Sequence, residues 1–268
     1  MSFYTSLNAM KNAQTDLGVI SHNIANVETN GFKKSSTNFA DLVGGNGDPR
    51  KTVGIGATVE TITQNFALGS MEQTGGGLDM AIAGDGFFTT RSAESGKTLY
   101  TRNGSFSIDE NGFIQDGANN RLQTIPVDAD GMPTATVPQD TQIPPVNADG
   151  AEFAGVTVGS DGRISAAYAD GSVVLVGRVA LASFIAPTGL RQVGSSNWET
   201  SGLSGAAQYG LPENGQYGSL LSGALERSNV DIAEELVGLI TAQRNFQANA
   251  KAIDTATQIS QTVINLRT

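Results

Sequence analysis

Apolar residues recur at alternating spacings of three and four residues near both ends of the chain. Near the N-terminus this repeat places six large apolar residues on one face: Phe3, Leu7, Met10, Leu17, Ile20 and Ile24. Near the C-terminus the corresponding residues are Leu236, Leu239, Phe246 and Ile253. Such spacing is typical of a coiled-coil seam, and all eight prolines lie between Pro49 and Pro212, outside both segments. We therefore predict one helix at each end of the chain, paired with each other along these residues.

The middle of the chain, from about residue 55 to 215, consists of short apolar runs separated by turn dipeptides. Asp161-Gly162 and Asp170-Gly171 suit the positive φ angles of tight hairpin turns, and the clearest hairpin is predicted over 161–185. The stretch 123–150 is rich in proline, aspartate and glycine, which indicates a long loop or an irregular edge. The predicted fold class is α+β, with paired terminal helices of coiled-coil type and a central β-rich domain.

The pattern also predicts domain limits. We expect an N-terminal helix over 1–32, a connecting arm over 33–72, a β-rich domain over 73–222 and a C-terminal helix over 223–268. Helix breakers are nearly absent from both ends of the chain, so both ends are free to be helical.

The C-terminal helix carries few charges for a segment of its length. Between Leu236 and Leu266 the charged residues are Arg244, Lys251 and Asp254. An exposed coiled coil normally carries Glu and Lys at its outer positions. A neutral surface suits close packing against further chains, because no charge loses its hydration there. A helix pair that packs only within its own domain remains the alternative.

Composition excludes several classes of function. The net charge is −10, and basic residues occur at most two in a row, so we expect neither nucleic-acid binding nor attraction to anionic membranes. No apolar run is long enough to cross a bilayer, and we expect no direct membrane insertion. The N-terminus lacks a charged region followed by an apolar one, so no cleaved signal peptide is expected.

Candidate chemistry is sparse. The chain has no cysteine and one histidine, His22, on the predicted N-terminal helix. A Ser-His-Asp arrangement would have to use this residue, and a coiled coil offers no pocket for a substrate. The DADG sequence at 128–131 resembles the start of a calcium loop, but the twelfth position is Gln139 in place of glutamate. We expect no catalytic residues, no metal site, no cofactor and no enzymatic activity.

The sequence HNIANVETNGFKK, residues 22–34, resembles the signature of bacterial flagellar rod and hook proteins. The matching residues are Asn23, Ala25, Asn26, Thr29, Gly31, Phe32 and Lys33. His22 departs from the pattern, since a second asparagine is usual there. The resemblance continues through 39–45, 63–88 and 100–114 and resumes over 215–267, so it covers well over half of the chain.

This resemblance implies a structural role. Members of the family pair their terminal helices as an inner tube domain, with a β-rich domain outside it, and the Asn-rich turn is where the chain leaves the inner helix. The implied function is a helical homopolymer: the tubular hook, a flexible joint that transmits motor torque and leaves a central export channel. The implied partners are copies of the chain itself, rod and hook-filament junction proteins, the hook cap and the flagellar export apparatus. The implied location is the flagellum, reached by export beyond the cytoplasm without a cleaved signal peptide.

Other assignments stay open at this point. The ends of the chain and its 21-residue connector from Lys33 to Val53 resemble those of the hook protein. The middle of the chain has room for only one β domain, as in distal rod proteins. A distal or proximal rod protein is therefore the alternative. Two further classes are a peptidoglycan-cleaving assembly factor, which needs an acid-base pair, and a secreted β-domain adhesin, for which the terminal helices would be dispensable.

Overall fold

The computed structural model describes residues 2–44, 54–128 and 131–266. Helix α1 spans Ser2–Ala25 and helix α2 spans Ile232–Asn265. The strands in this part of the chain, in chain order, are β1 (Ser35–Val43), β2 (Gly54–Gln64), β3 (Met71–Gln73), β4 (Met80–Ala83), β5 (Phe87–Ser92), β6 (Thr98–Thr101), β7 (Phe106–Ile108), β8 (Ile114–Asp116), β9 (Asn120–Ile125), β10 (Gln139–Asp140), β11 (Phe153–Val158), β12 (Arg163–Tyr168), β13 (Val173–Val179), β14 (Leu181–Ser183), β15 (Arg191–Gly194), β16 (Asn197–Glu199), β17 (Gln208–Gly210), β18 (Ser219–Ser222) and β19 (Ala224–Glu226). The predicted α+β class, with a helix at each end of a β-rich region, is confirmed.

The chain forms two compact units, each assembled from separate segments. The helical unit comprises Met1–Val27, Lys34–Asn65 and Val230–Thr268, and the β unit comprises Glu28–Lys33 and Phe66–Asn229. Most of the segment expected to be a connecting arm thus belongs to the helical unit. Within that segment β1 and β2 pair as antiparallel strands, with Ser35 opposite Gln64.

In the helical unit α1 and α2 lie side by side and run antiparallel. The end of α1 lies beside the start of α2, where the Asn23 amide donates to the Glu235 carboxylate at 3.1 Å. The hairpin β1–β2 packs on α1. There the Asn12 side-chain amide of α1 donates a hydrogen bond to the Ala57 carbonyl of β2 at 2.7 Å.

The β unit is built on one large sheet. Its main strand order is β11-β12-β13-β9-β5-β6-β16-β15, and its core holds Met80, Phe88, Leu122, Ile164 and Leu181. The predicted hairpin is present as β12 and β13, joined by a turn at Gly171, whose φ is +82°. Between β9 and β11 the described residues form only the short strand β10 and isolated bridges, in agreement with the irregular stretch expected there.

The C-terminal helix begins later than expected, at Ile232 and not at residue 223. Ala224–Glu226 instead forms strand β19, which pairs with Met71–Gln73. Gly223, with φ +70°, turns the chain between two short strands. Asp231 starts the helix, because its side chain accepts hydrogen bonds from the N–H groups of Ala233 and Glu234 at 2.8 and 3.1 Å.

Candidate functional site: the signature turn and the helix faces

Asn23 fixes the end of α1 within the helical unit. Its side chain is buried, donates to the Ser35 carbonyl at 2.8 Å and accepts from the Ser35 N–H at 2.9 Å. It also donates to Glu235 on α2. A side-chain amide offers two donor hydrogens and an acceptor oxygen, and asparagine at this position uses them to join α1, the start of β1 and α2.

The helix end itself is closed by local hydrogen bonds. The Asn26 amide donates to the His22 carbonyl at 2.9 Å, and the N–H of Asn26 donates to the Asn23 carbonyl at 3.1 Å. These bonds satisfy carbonyl groups that the last helical turn leaves without partners. Ala25 is exposed, and the Thr29 carbonyl accepts from the Phe32 N–H at 3.3 Å.

Gly31 occupies a position that admits no side chain. Its φ is +66°, and a Cβ placed there would overlap the backbone of Arg102 and Asn103. Its N–H donates to the Glu226 carbonyl at 2.8 Å. The glycine of the signature therefore lets the turn lie directly against the backbone of the β unit.

Lys33, the last residue of the signature match, is fully buried in an ionic cluster. Its Nζ lies 2.5 Å from Glu226 Oε1 and 2.8 Å from the Ala67 carbonyl oxygen. The other carboxylate oxygen of Glu226 accepts from Arg102 Nη1 at 3.3 Å, and the Gly69 N–H donates to Oε1 at 2.9 Å. One buried carboxylate thus pairs with two buried cations, and this Lys33–Glu226–Arg102 cluster binds the signature turn to β19.

Burial governs the electrostatics of the cluster. It lowers the pKa of the Lys33 ammonium, and the Glu226 carboxylate opposes that change. Burial likewise lowers the pKa of the Arg102 guanidinium, against the attraction of Glu226 and Asp85. Charges removed from water in this way persist only where partners hold them, so the cluster depends on all three members.

The helix seam is partly buried within one copy. Ile20 is the buried member of the predicted set, and Leu7, Met10, Leu17, Ile24, Leu239, Phe246 and Ile253 are half-buried. Phe3 and Leu236 are exposed, at 42% and 45%. The side chain of Ile20 approaches Gly238, where an added Cβ would lie 3.4 Å from its Cδ1.

The predicted seam set omits two residues of the helix contact. Ala242 and Glu235 are both buried. The buried and half-buried positions of α2 include Gly238, Ala250 and a series that alternates four and three apart: Glu235, Leu239, Ala242, Phe246, Asn249, Ile253 and Ala256. The spacing of four and three residues could have identified Ala242 and Glu235. The predicted seam contains only large apolar residues and therefore omits alanine and glutamate.

Large apolar residues are exposed near both ends of α2. They are Ile232, Leu236, Val237, Ile240, Ile259, Val263, Ile264 and, at the C-cap, Leu266. Within the described ranges no helix has the length and hydropathy required to cross a membrane. The same residues include no group of three or more His, Asp or Glu placed to hold a metal ion.

Comparison with known proteins relates the chain to flagellar components along its whole length. The family "Flagella basal body rod protein" matches residues 3–33, "Flagellar hook protein FlgE/F/G D1 domain" matches 81–166, and "Flagellar basal body rod FlgEFG protein C-terminal" matches 221–266. The flagellar basal-body rod protein FlgG of Bacillus subtilis is 36% identical over 279 residues, which cover 99% of this chain and 98% of the relative. The chain belongs to the flagellar hook and rod protein family.

Two further relatives are a rod protein and a hook protein. FlgG of Agrobacterium fabrum is 30% identical over 268 residues, 93% of each chain. The flagellar hook protein FlgE of Salmonella typhimurium is 28% identical over 409 aligned residues that span all of both chains. The family is a structural component of the flagellum, and the resemblance drawn from the signature turn is confirmed.

Proposed function

We propose that this chain polymerises into the tubular hook of the flagellum. In that role it forms a flexible joint that transmits motor torque to the filament and leaves a central export channel. The observation that carries the proposal is the exposed surface of α2, which has few charges beyond Leu236 and exposes large apolar residues near both ends of the helix. One copy of the chain leaves these residues exposed, and a helical polymer supplies further copies to cover them.

The lengths of the two helices support this role. At a rise of about 1.5 Å per residue, the 34 residues of α2 extend about 51 Å and the 24 residues of α1 about 36 Å. The C-terminal end of α2, by which it is longer than α1, carries together with its C-cap four exposed apolar residues: Ile259, Val263, Ile264 and Leu266. Burying them against a neighbouring copy is favourable by roughly 25 cal/mol per Å² of apolar surface, with little charge to desolvate.

The remaining roles follow from the same proposal. The helices form the inner tube domain and the β-rich region forms the outer domain, with the seam residues and the signature turn serving assembly. The chain acts without catalysis and without a cofactor. Its partners are other copies of itself, rod and hook-filament junction proteins, the hook cap and the export apparatus. It reaches the flagellum by export beyond the cytoplasm.

A distal or proximal rod protein is the second candidate. The alignment with FlgG of Bacillus subtilis is 279 residues long, close to the 268 residues of this chain. The alignment with FlgE of Salmonella typhimurium extends over 409 positions, so that hook protein contains residues that this chain lacks. Length alone thus favours a rod protein.

Electron microscopy of the concentrated full-length protein separates the two candidates. Curved or polymorphic tubes support the hook, and straight, stiff tubes support the rod. A matched pair of variants tests the carrying observation. Val263→Glu places a charge among the exposed apolar residues near the C-terminal end of α2, whereas Val173→Glu places one on the β unit, and these valines are 58% and 67% exposed. We expect Val263→Glu to abolish tubes and Val173→Glu to form them. Tubes from both variants would contradict the role given to α2.

A further inference from the structure

A cavity of about 440 Å³ opens beside β11, at one end of the main strand order of the β unit. Its apolar lining includes Ile108, Ile143, Val146 and Phe153. Pockets that accept a ligand are typically clefts of about 300–1,000 Å³ with apolar walls. The cavity therefore has the size and lining to accept aliphatic side chains from another molecule.

The rim of this cavity is acidic. Asp109, Glu110 and Glu152 lie among its described lining residues, which include no basic side chain. Asp109 also shapes the rim, because its Oδ1 accepts from the N–H groups of Asn111 and Phe113 at 2.9 and 2.7 Å. An occupant with an apolar tip and a basic flank would complement both the lining and the rim.

The connections that precede β15 and follow β16 present such a surface. Two neighbouring loops expose Ile185 and Leu203, at 82% and 83%, and the Ala186 N–H donates to the Ser204 carbonyl at 3.5 Å, which ties the loops together. We name Ile185 and Leu203 the apolar tip. Exposed apolar residues of this kind commonly mark protein contact sites.

The flank of the apolar tip is basic. The next strand is β15, whose four residues are all exposed. Arg191 of β15 and Lys97, which directly precedes β6, share one carboxylate, that of Glu199 on β16, so the three side chains together have a net positive charge. This charge complements the three carboxylates at the cavity rim.

We propose that the apolar tip of one copy inserts into the cavity beside β11 of the next copy. Ile185 lies between β14 and β15 and Leu203 between β16 and β17. The cavity lies beside β11, at the opposite end of the strand order from β15 and β16, so the contact uses two different surfaces. A head-to-tail contact of this type repeats indefinitely, and it generates an open helical filament where the rotation does not close a ring. The inference rests on the proposed function as a polymer subunit and assigns a contact to the β unit, separate from the helices.

Disulfide crosslinking tests the proposal, since the chain has no cysteine of its own. The double variant Leu203→Cys/Val146→Cys places one thiol on the tip and one at the cavity. A disulfide requires Cα atoms within roughly 7 Å. We expect mild oxidation of the concentrated double variant to give a ladder of oligomers on a non-reducing gel, and each single variant to give at most dimers. Both side chains are exposed, so the fluorescence of buried Trp198 should match that of the natural protein.

The matched control is Leu203→Cys/Val173→Cys. Val173 is an exposed valine on β13, near the same end of the strand order, but it lies outside the cavity lining. A ladder of equal strength from this control, or none from the test variant, would overturn the proposed contact. Microscopy of the same samples tests the tube separately. Tubes without a specific ladder reject the contact and keep the polymer, whereas a ladder without tubes keeps the contact and rejects the tubular function.

Discussion

Replacing Lys33 by methionine removes one cation from the buried Lys33–Glu226–Arg102 cluster. Methionine retains much of the aliphatic stem, so the loss is mainly electrostatic. Lys33 contributes the 2.5 Å contact with Glu226 and the 2.8 Å contact with the Ala67 carbonyl. After the change, Glu226 keeps Arg102 at 3.3 Å and the Gly69 N–H at 2.9 Å, and Ala67 keeps the Asn229 amide at 3.0 Å.

These remaining partners set the magnitude. Breaking a buried ion pair by removing one partner costs about 3–5 kcal/mol of unfolding free energy. Lys33→Met leaves one cation and one carboxylate, and we expect the lower value, about 3 kcal/mol. Glu226→Gln leaves Lys33 and Arg102 buried together without their carboxylate, and we expect at least about 5 kcal/mol. The predicted order, with Glu226→Gln more damaging than Lys33→Met, follows from the count of charges.

Urea unfolding measures both variants. The chain has a single tryptophan, Trp198, which is fully buried in the same β unit as the cluster. Its fluorescence therefore reports the unit that contains Lys33. With a slope of about 2 kcal/mol per molar urea, a loss of about 3 kcal/mol lowers the unfolding midpoint by about 1.5 M.

The control for this prediction is Lys97→Met. Lys97 is exposed and pairs with Glu199 at 3.3 Å, and surface pairs contribute about 0–1 kcal/mol. Its midpoint should fall by less than about 0.5 M. A Lys33→Met midpoint indistinguishable from that of Lys97→Met, or a greater loss in Lys33→Met than in Glu226→Gln, would refute the role given to the cluster.

Three further changes test the turn and the helix ends. Gly31→Ala should lower the free energy of unfolding in urea by more than Gly75→Ala does. Both glycines have a positive φ, but an added Cβ meets backbone atoms at Gly31 and nothing within 4 Å at Gly75. Equal losses from the two variants would contradict the close approach at Gly31. Asn23→Ala should cost about 2 kcal/mol by loss of buried hydrogen bonds and speed amide exchange at the end of α1; unchanged exchange would contradict it. Asp231→Ala should lower the free energy of unfolding of the helical unit by about 1 kcal/mol through loss of the N-cap. Circular dichroism at 222 nm measures this transition, and an unchanged midpoint would contradict the capping role of Asp231.

The helices were predictable because their signal is local. A seam spacing of three and four residues and the absence of proline determine the backbone without reference to the rest of the chain. The start of α2 was not predicted, although Asp231 is a preferred N-cap residue followed by Glu234 and Glu235 in the first turn. The residues before Asp231 have a composition that favours a helix, but Ala224–Glu226 forms a strand that pairs with Met71–Gln73. This pairing joins distant parts of the chain, so no local pattern predicts it.

The ionic cluster lay beyond sequence reasoning for the same physical reason. Glu226 is 193 residues from Lys33 and 124 from Arg102 along the chain. No periodicity brings these residues together, and a buried cluster is not distinguishable from scattered surface charges in the sequence. The signature turn was found by resemblance, but what its lysine contacts is a property of the folded β unit alone.

The distribution of charge between the two units fits a subunit that buries one part of its surface and exposes another. The β unit holds 18 of the 26 acidic residues and 9 of the 16 basic ones, which leaves it a net charge of −9 out of −10 for the chain. The helical unit is therefore nearly neutral. Neutral helices associate without mutual repulsion and without desolvating charges, whereas a strongly acidic β unit favours solubility before assembly. The same separation explains why the apolar tip needs a basic flank: contacts between two acidic β units are repulsive unless the meeting surfaces differ in charge.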